Sequence, residues 1–172
     1  MEDVRDEFAR LIIECRGSKN KRSKRDVYNA SIKHAAFAIK NLLEVAVEDE
    51  SPVKIVSGNL KREFYENLTE NINNVLNKGI TVDLIVLNNE NDIEDNTFVK
   101  AIKNSAHGKV LLPNEEFGKV TAPHFTLVGK SCYRVETDHA QSKAVICFNN
   151  EVIGGFLHDM FNGLSSKCSQ SY

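Results

Sequence analysis

Hydrophobic positions along this chain change their period several times, and each change marks an element. In residues 3–15, Val4, Phe8, Leu11, Ile12 and Cys15 recur at helical spacing, which predicts a short amphipathic helix closed by Gly17-Ser18. The helical period returns after Asp26, read as an N-cap. Val27, Ser31, Ala35, Ala38 and Leu42 form one stripe there, beside a second of Ile32, Ala36, Ile39 and Leu43. Such a broad face of small side chains can lie on a sheet or against the same helix of a second subunit. Pro52 ends this region.

From residue 53 short apolar runs alternate with helical periodicity. Residues 53–56 read as a strand, followed by Ser57-Gly58-Asn59 at its C-terminal end. A helix over 60–77 turns Phe64, Leu68, Ile72, Val75 and Leu76 inward, and Gly79 sits in the position that favours a left-handed backbone. Residues 80–87 are apolar almost throughout, as in a strand covered on both faces. The resulting βαβ unit calls for parallel pairing with a right-handed crossover. A polar loop over 88–96, a short helix over 98–105 and a strand over 109–112, stopped by Pro113, come next. A hairpin turning at Gly129-Lys130 and a strand over 144–148 lead to a last helix over 150–164. That helix is read with Val152, Ile153, Phe156, Leu157, Met160 and Phe161 facing the core.

The expected fold is therefore α/β, a mixed, largely parallel β-sheet flanked by helices. Residues 1–25 form an N-terminal helix and basic loop, 26–164 the α/β domain, and the Ser-rich residues 165–172 a disordered tail.

Charge narrows the choice of partners. The net charge is −2, so any attraction to nucleic acid must come from a local patch. Residues 16–25, RGSKNKRSKR, supply one, with six basic side chains and no acid. Such a run is either a solvated, mobile loop or a phosphate-binding segment, in which Lys19, Lys21, Arg22, Lys24 and Arg25 are the candidate contacts. The four cysteines, Cys15, Cys132, Cys147 and Cys168, form no CxxC pair. Reduced thiols in a cytoplasmic protein fit this spacing better than a disulfide framework or a zinc site, and no metal or cofactor is expected. The acidic start MEDVRDEFARL is unlike a signal peptide, and no apolar run approaches the ~20 residues that span a bilayer. No membrane association is expected.

The densest chemistry lies in PHFTLVGKSCYRVETDH, residues 123–139. His124 enters one strand of the hairpin, and Glu136-Thr137-Asp138-His139 ends the other, with Tyr133 and Arg134 on opposite faces between them. A histidine beside carboxylates and an arginine can form a phosphate or acid/base site, or it can be a polar rim that caps the sheet. Ser57 and Asn59 sit at a strand end before a helix, where backbone N–H groups can hold an anion. His34, His107 and His158 read as surface, turn or packing residues. The chain has no P-loop, GxGxxG, HExxH or GxSxG motif.

Residues 26–164 resemble one half of the phospholipase D superfamily. The resemblance rests on VKIVSG before a long helix, on LNKGITVDLIVL, on GKVLLP followed by HFTLVGKSCYR, and on AVICFNNEVIGGFLHDMF at the close. In that superfamily a His-x-Lys-x4-Asp motif is followed by a Gly-Ser-x-Asn-like segment. The histidine attacks the phosphodiester phosphorus, and two half-domains complete the site, by duplication or in a homodimer. Here His124 stands in the histidine position, Thr126 in that of the lysine and Ser131 in that of the aspartate. Residues 136–139 fall about where the Gly-Ser-x-Asn segment would.

The resemblance implies His124, Arg134, Glu136 and His139 as catalytic-type residues, and Thr126, Lys130, Thr137, Ser57 and Asn59 around a phosphate. Lys130 or Arg134 would replace the missing lysine charge, which electrostatic catalysis of phosphoryl transfer requires. The reading that follows is a degenerate, homodimeric module that binds nucleic acid or a partner protein in a bacterial regulatory or phage-defence system. Two alternatives stand beside it: an active phosphodiesterase or nuclease using His124 with rearranged partners, and a structural interaction subunit.

Overall fold

A computed structural model describes residues 4–29, 31–58, 60–88, 93–138, 140–141 and 143–171. The chain begins with α1 (Val4–Arg16), β1 (Val27–Asn29), α2 (Ile32–Asp49) and β2 (Val53–Ser57). Two short helices, α3 (Arg62–Glu66) and α4 (Thr69–Asn77), lead to β3 (Val82–Val86), α5 (Thr97–Lys103) and β4 (Gly108–Pro113). The hairpin of β5 (Phe125–Val128) and β6 (Cys132–Asp138) precedes β7 (Lys143–Cys147), α6 (Glu151–Ser165) and β8 (Cys168–Gln170).

All eight strands join one sheet in the order β1-β7-β6-β5-β2-β3-β4-β8. Alternating side chains divide the core between its two faces. Ile55 and Leu84 belong to the core formed with α1, α2, α4 and α5, whereas Val56 and Ile85 pack with Leu157, Phe161 and Leu164 of α6. The α/β architecture is thus the expected one, a mixed sheet with helices on both faces. Parallel pairing is confined to β2–β3 and β3–β4, and the other strand pairs are antiparallel. The tight turns linking β5, β6 and β7 permit only antiparallel neighbours, so the parallel part is smaller than the βαβ pattern suggests.

Four details depart from the sequence pattern. Residues 27–29 form an edge strand on β7, not the first turn of a helix, and Asp26 caps nothing. The cap of α2 is Ser31, whose Oγ accepts the His34 N–H at 3.1 Å. The helix expected over 60–77 is divided into α3 and α4, because Asn67 closes the first and Leu68 leaves helical geometry (φ −103°, ψ 1°). The described part of the tail is ordered, with β8 pairing β4 and covering what would otherwise be an open sheet edge. On α6 only the stripe of Gly154, Leu157, Phe161 and Leu164 is buried, while Val152, Ile153 and Phe156 are exposed.

The N-terminal segment belongs to the domain. Phe8, Ile12 and Cys15 of α1 enter the same core as α2. The loop after α1 folds back through Lys21 N–H to Ser18 O (2.8 Å) and Ser23 N–H to Cys15 O (2.9 Å). Arg16 pairs with Glu44 and Glu48, and Arg22 with Glu48 and Asp49, near the C-terminus of α2. The Arg22 side chain is 6% exposed and contacts Asp49 at 2.5 and 3.1 Å, while Asn149 donates to its carbonyl at 3.1 Å. Arg22 is a clamp across the sheet end. Its replacement by alanine should cost about 2 kcal/mol in chemical denaturation, below the 3–5 of a fully buried pair because its acidic partners keep some water.

Candidate functional site

The hairpin register places the site. Phe125 pairs Val135 and Thr126 pairs Arg134, so residues 124, 126, 134 and 136 share one face of the sheet, the α2 face. The Glu136 N–H donates to the His124 carbonyl at 2.8 Å, which extends the ladder one residue beyond β5. The two side chains meet directly, with His124 Nδ1 3.1 Å from Glu136 Oε2. Arg134 Nη1 lies 3.4 Å from the other oxygen of Glu136, and Arg134 Nε donates to Asn29 Oδ1 at 3.2 Å. Ala144 lies between Glu136 and Asn29 in the ladder, and its small side chain leaves room for this contact. Arg134 and Asn29 are both buried.

The far side of the imidazole closes on β2. His124 Nε2 fills the space above Gly58, where a Cβ would come within 2.3 Å of it. Ser57, buried at the end of β2, shares a side-chain hydrogen bond with Tyr65. Burial is the main reason that the Tyr65 phenol loses its proton less readily than usual, and the Ser57 bond acts in the opposite direction. Beside these groups a cavity of about 320 Å³ opens under the first turn of α2 and under α3, with His124, Arg134, Glu136, Ser57 and Tyr65 in its wall.

Five of the residues singled out in the sequence therefore come together: His124, Arg134, Glu136, Thr126 and Ser57. Thr126 is buried next to Arg134, so the lysine position of the motif holds a short neutral side chain and the nearest cation stands on the neighbouring strand. Others lie apart. Lys130 is exposed at the hairpin tip, at the opposite end of the four-residue β5 from His124. Thr137 is exposed and bonds to the Lys143 carbonyl at 3.4 Å, beside the irregularity between Glu136 and Asp138. Asn59 and His139 fall outside the described residues.

The basic run is a second, separate cluster. Arg22 is taken up by acids, whereas Lys19, Lys21, Lys24 and Arg25 are exposed. It packs at the C-terminal end of α2 and the cavity at its N-terminal end. On α2 the run pairs with Glu44, Glu48 and Asp49 while the cavity is lined by Ile32 to Ile39, so the two lie against different turns of that helix. They do not form one phosphate site. Among the described residues no group of three or more His, Cys, Asp or Glu is placed to hold a metal ion, and all four cysteines are unpaired. Burial raises the pKa of Cys132, Cys147 and Cys168, which keeps these thiols protonated and poorly nucleophilic. No described helix is long and apolar enough to cross a membrane.

No family model and no curated protein sequence matches the chain. Solved structures do. Nuc from Salmonella typhimurium, a phospholipase D family member, aligns with a TM-score of 0.59 at 9% identity, over 86% of this chain and 96% of that one. NucT from Helicobacter pylori aligns with a TM-score of 0.62 at 11% identity, over 86% and 99%. The fold is phospholipase-D-like. A third neighbour is TrmBL2, an archaeal chromatin protein described as having a novel mode of DNA binding. It has a TM-score of 0.67 at 13% identity and covers 98% of this chain. The chain spans 62% of that protein's length. At these identities the agreement is one of fold, and chemistry has to be argued from the residues.

Sequence reasoning missed Asn29 and Tyr65. Asn29 sat inside an expected helix, so nothing marked it as the neighbour of a hairpin more than a hundred positions away. Tyr65 carried no signal beyond its place in a helical stretch.

Proposed function

We propose that the chain is a phospholipase-D-like module that binds nucleic acid without cleaving it, and that it works as a homodimer in a regulatory setting. The observation that carries this reading is the folded basic segment. Arg16 and Arg22 fix its ends to α2, and Lys19, Lys21, Lys24 and Arg25 point outward from it, pre-ordered for phosphates. A chromatin protein with the same fold binds DNA, which supports the same use here. The phage-defence setting draws on the sequence resemblance.

The hairpin supports the silent half of the proposal. A phosphoryl-transfer site needs positive charge aimed at the phosphate. Thr126 supplies none, and the charge of Arg134 is offset by the Glu136 carboxylate 3.4 Å away. A second reading, an active phosphodiesterase, is favoured by one feature. Glu136 on His124 Nδ1 at 3.1 Å is the kind of bond that orients an imidazole for proton transfer or attack through Nε2.

One set of measurements tests both. Fluorescence anisotropy with labelled single- and double-stranded DNA and RNA should show salt-sensitive retention. Neutralising Lys19, Lys21, Lys24 and Arg25 together should reduce the slope of log K against log salt by roughly 3–4 on duplex DNA. An unchanged slope moves the binding surface elsewhere. Light scattering should give twice the 19.3 kDa chain mass. Bis-(p-nitrophenyl) phosphate should not turn over, and turnover abolished by His124→Ala would establish the second reading instead.

A further inference from the structure

The cavity at the N-terminal end of α2 has a composition that the nucleic-acid reading does not use. Its walls are apolar at Ala35, Ala36, Ile39 and Phe64, and its polar end is formed by Arg134 with the His124–Glu136 pair. Arg134 is 4% exposed. Its Nε is bound by Asn29 and its Nη1 by Glu136, but Nη2 is buried with no partner. Leaving a donor of a buried cation unpaired is costly, and an incoming oxygen acceptor removes that cost.

We propose that this cavity binds a small apolar carboxylic acid, with its carboxylate on Arg134 and its hydrocarbon body against Ala36, Ile39 and Phe64. The guanidinium fork matches a carboxylate better than it matches a single-atom acceptor. Lys33 and Lys61 line the same cavity from solvent-exposed positions, and the first turn of α2 adds the positive end of an 18-residue helix. The charge sum selects a monoanion. Glu136 and Glu63 also line the cavity, so a phosphate dianion would face two carboxylates while sharing Arg134 with one of them. A volume of about 320 Å³ is at the low end of ligand sites and suits a compact molecule.

Calorimetry and thermal shift with phenylacetate, 4-methylpentanoate, phenylacetamide and methyl phosphate test the assignment on the intact protein. At least one carboxylate should bind and raise the melting temperature, with phenylacetamide and methyl phosphate about tenfold weaker or worse. Arg134→Lys keeps the charge but loses the fork, and should weaken the carboxylate by about tenfold. Arg134 also holds Asn29 and Glu136, so a second variant leaves every charge in place. Ala36→Phe, on α2, fills the cavity and should abolish carboxylate binding with the circular dichroism spectrum unchanged. Retention of nucleic acid, which draws on the other end of α2, should be unaffected by Ala36→Phe, so the two proposals fail separately. Equal binding of the amide, preference for methyl phosphate, full affinity in Ala36→Phe, or no carboxylate binding at about 10 mM would each overturn the assignment.

Discussion

Phe148→Ala should destabilise the protein by about 3–5 kcal/mol, while Phe156→Ala changes stability by less than about 0.5. The two aromatics lie eight positions apart and look equally apolar in sequence. Phe148, just beyond β7, is fully buried on the α2 face, and its carbonyl accepts the Cys132 Sγ–H at 3.0 Å. Removing its ring leaves a void that a close-packed interior fills only in part. Phe156 is 66% exposed, so its ring loses little on truncation. For a domain of this size the first change lowers the melting temperature by roughly 10 °C and the second leaves it in place. A melting temperature for Phe148→Ala within two degrees of the wild type would show that the β7–α2 core is packed differently.

That contrast marks where the sequence is legible. Residues 80–87 are apolar almost throughout, and a run of that kind bounded by turn residues fits a strand covered on both faces. Helix α6 shows the opposite problem. Val152, Ile153 and Phe156 extend the apolar stripe around the helix, and periodicity cannot show that the sheet meets only the part carrying Leu157, Phe161 and Leu164. The three-residue strand β1 was hidden because Val27 is compatible with both periods, and its partner β7 lies more than a hundred residues away. The tail strand β8 is likewise specified by β4, not by its own Ser-rich composition.

The candidate site divides along the same line. Residues 124 and 136 were recoverable because a hairpin centred on Lys130 sets 124 against 136 and 126 against 134. The fate of the basic run was not. Whether six cations are free depends on the acids of α2, and Glu44, Glu48 and Asp49 become neighbours of Arg16 and Arg22 only after α1 folds onto α2. Local charge counting sees a patch, and the tertiary structure removes its two anchoring arginines from the surface it offers.

Gly154→Ala should cost about 3 kcal/mol or more, whereas Gly155→Ala, one residue further along the same helix, should stabilise by about 0.5–1. Both glycines lie within α6, where alanine is the better helix former. What separates them is their surroundings. A Cβ on Gly154 would lie 1.9 Å from the Lys130 carbonyl oxygen and 3.0 Å from the Ser131 nitrogen, which are main-chain atoms of the β5–β6 turn. No rotamer relieves a clash with backbone, so either the helix or the hairpin must move by an ångström or more. The Asn150 N–H also binds the Ser131 carbonyl at 3.0 Å, so the start of α6 and the hairpin tip are already joined there. A Cβ on Gly155 meets nothing within 4 Å. It gains helix propensity at no steric cost. Because the hairpin that Gly154 supports also carries His124 and Arg134, Gly154→Ala should weaken carboxylate binding in the cavity while Gly155→Ala leaves it intact. Denaturant midpoints for the pair read the close approach directly, and equal midpoints would mean that α6 does not lie on the hairpin at this distance.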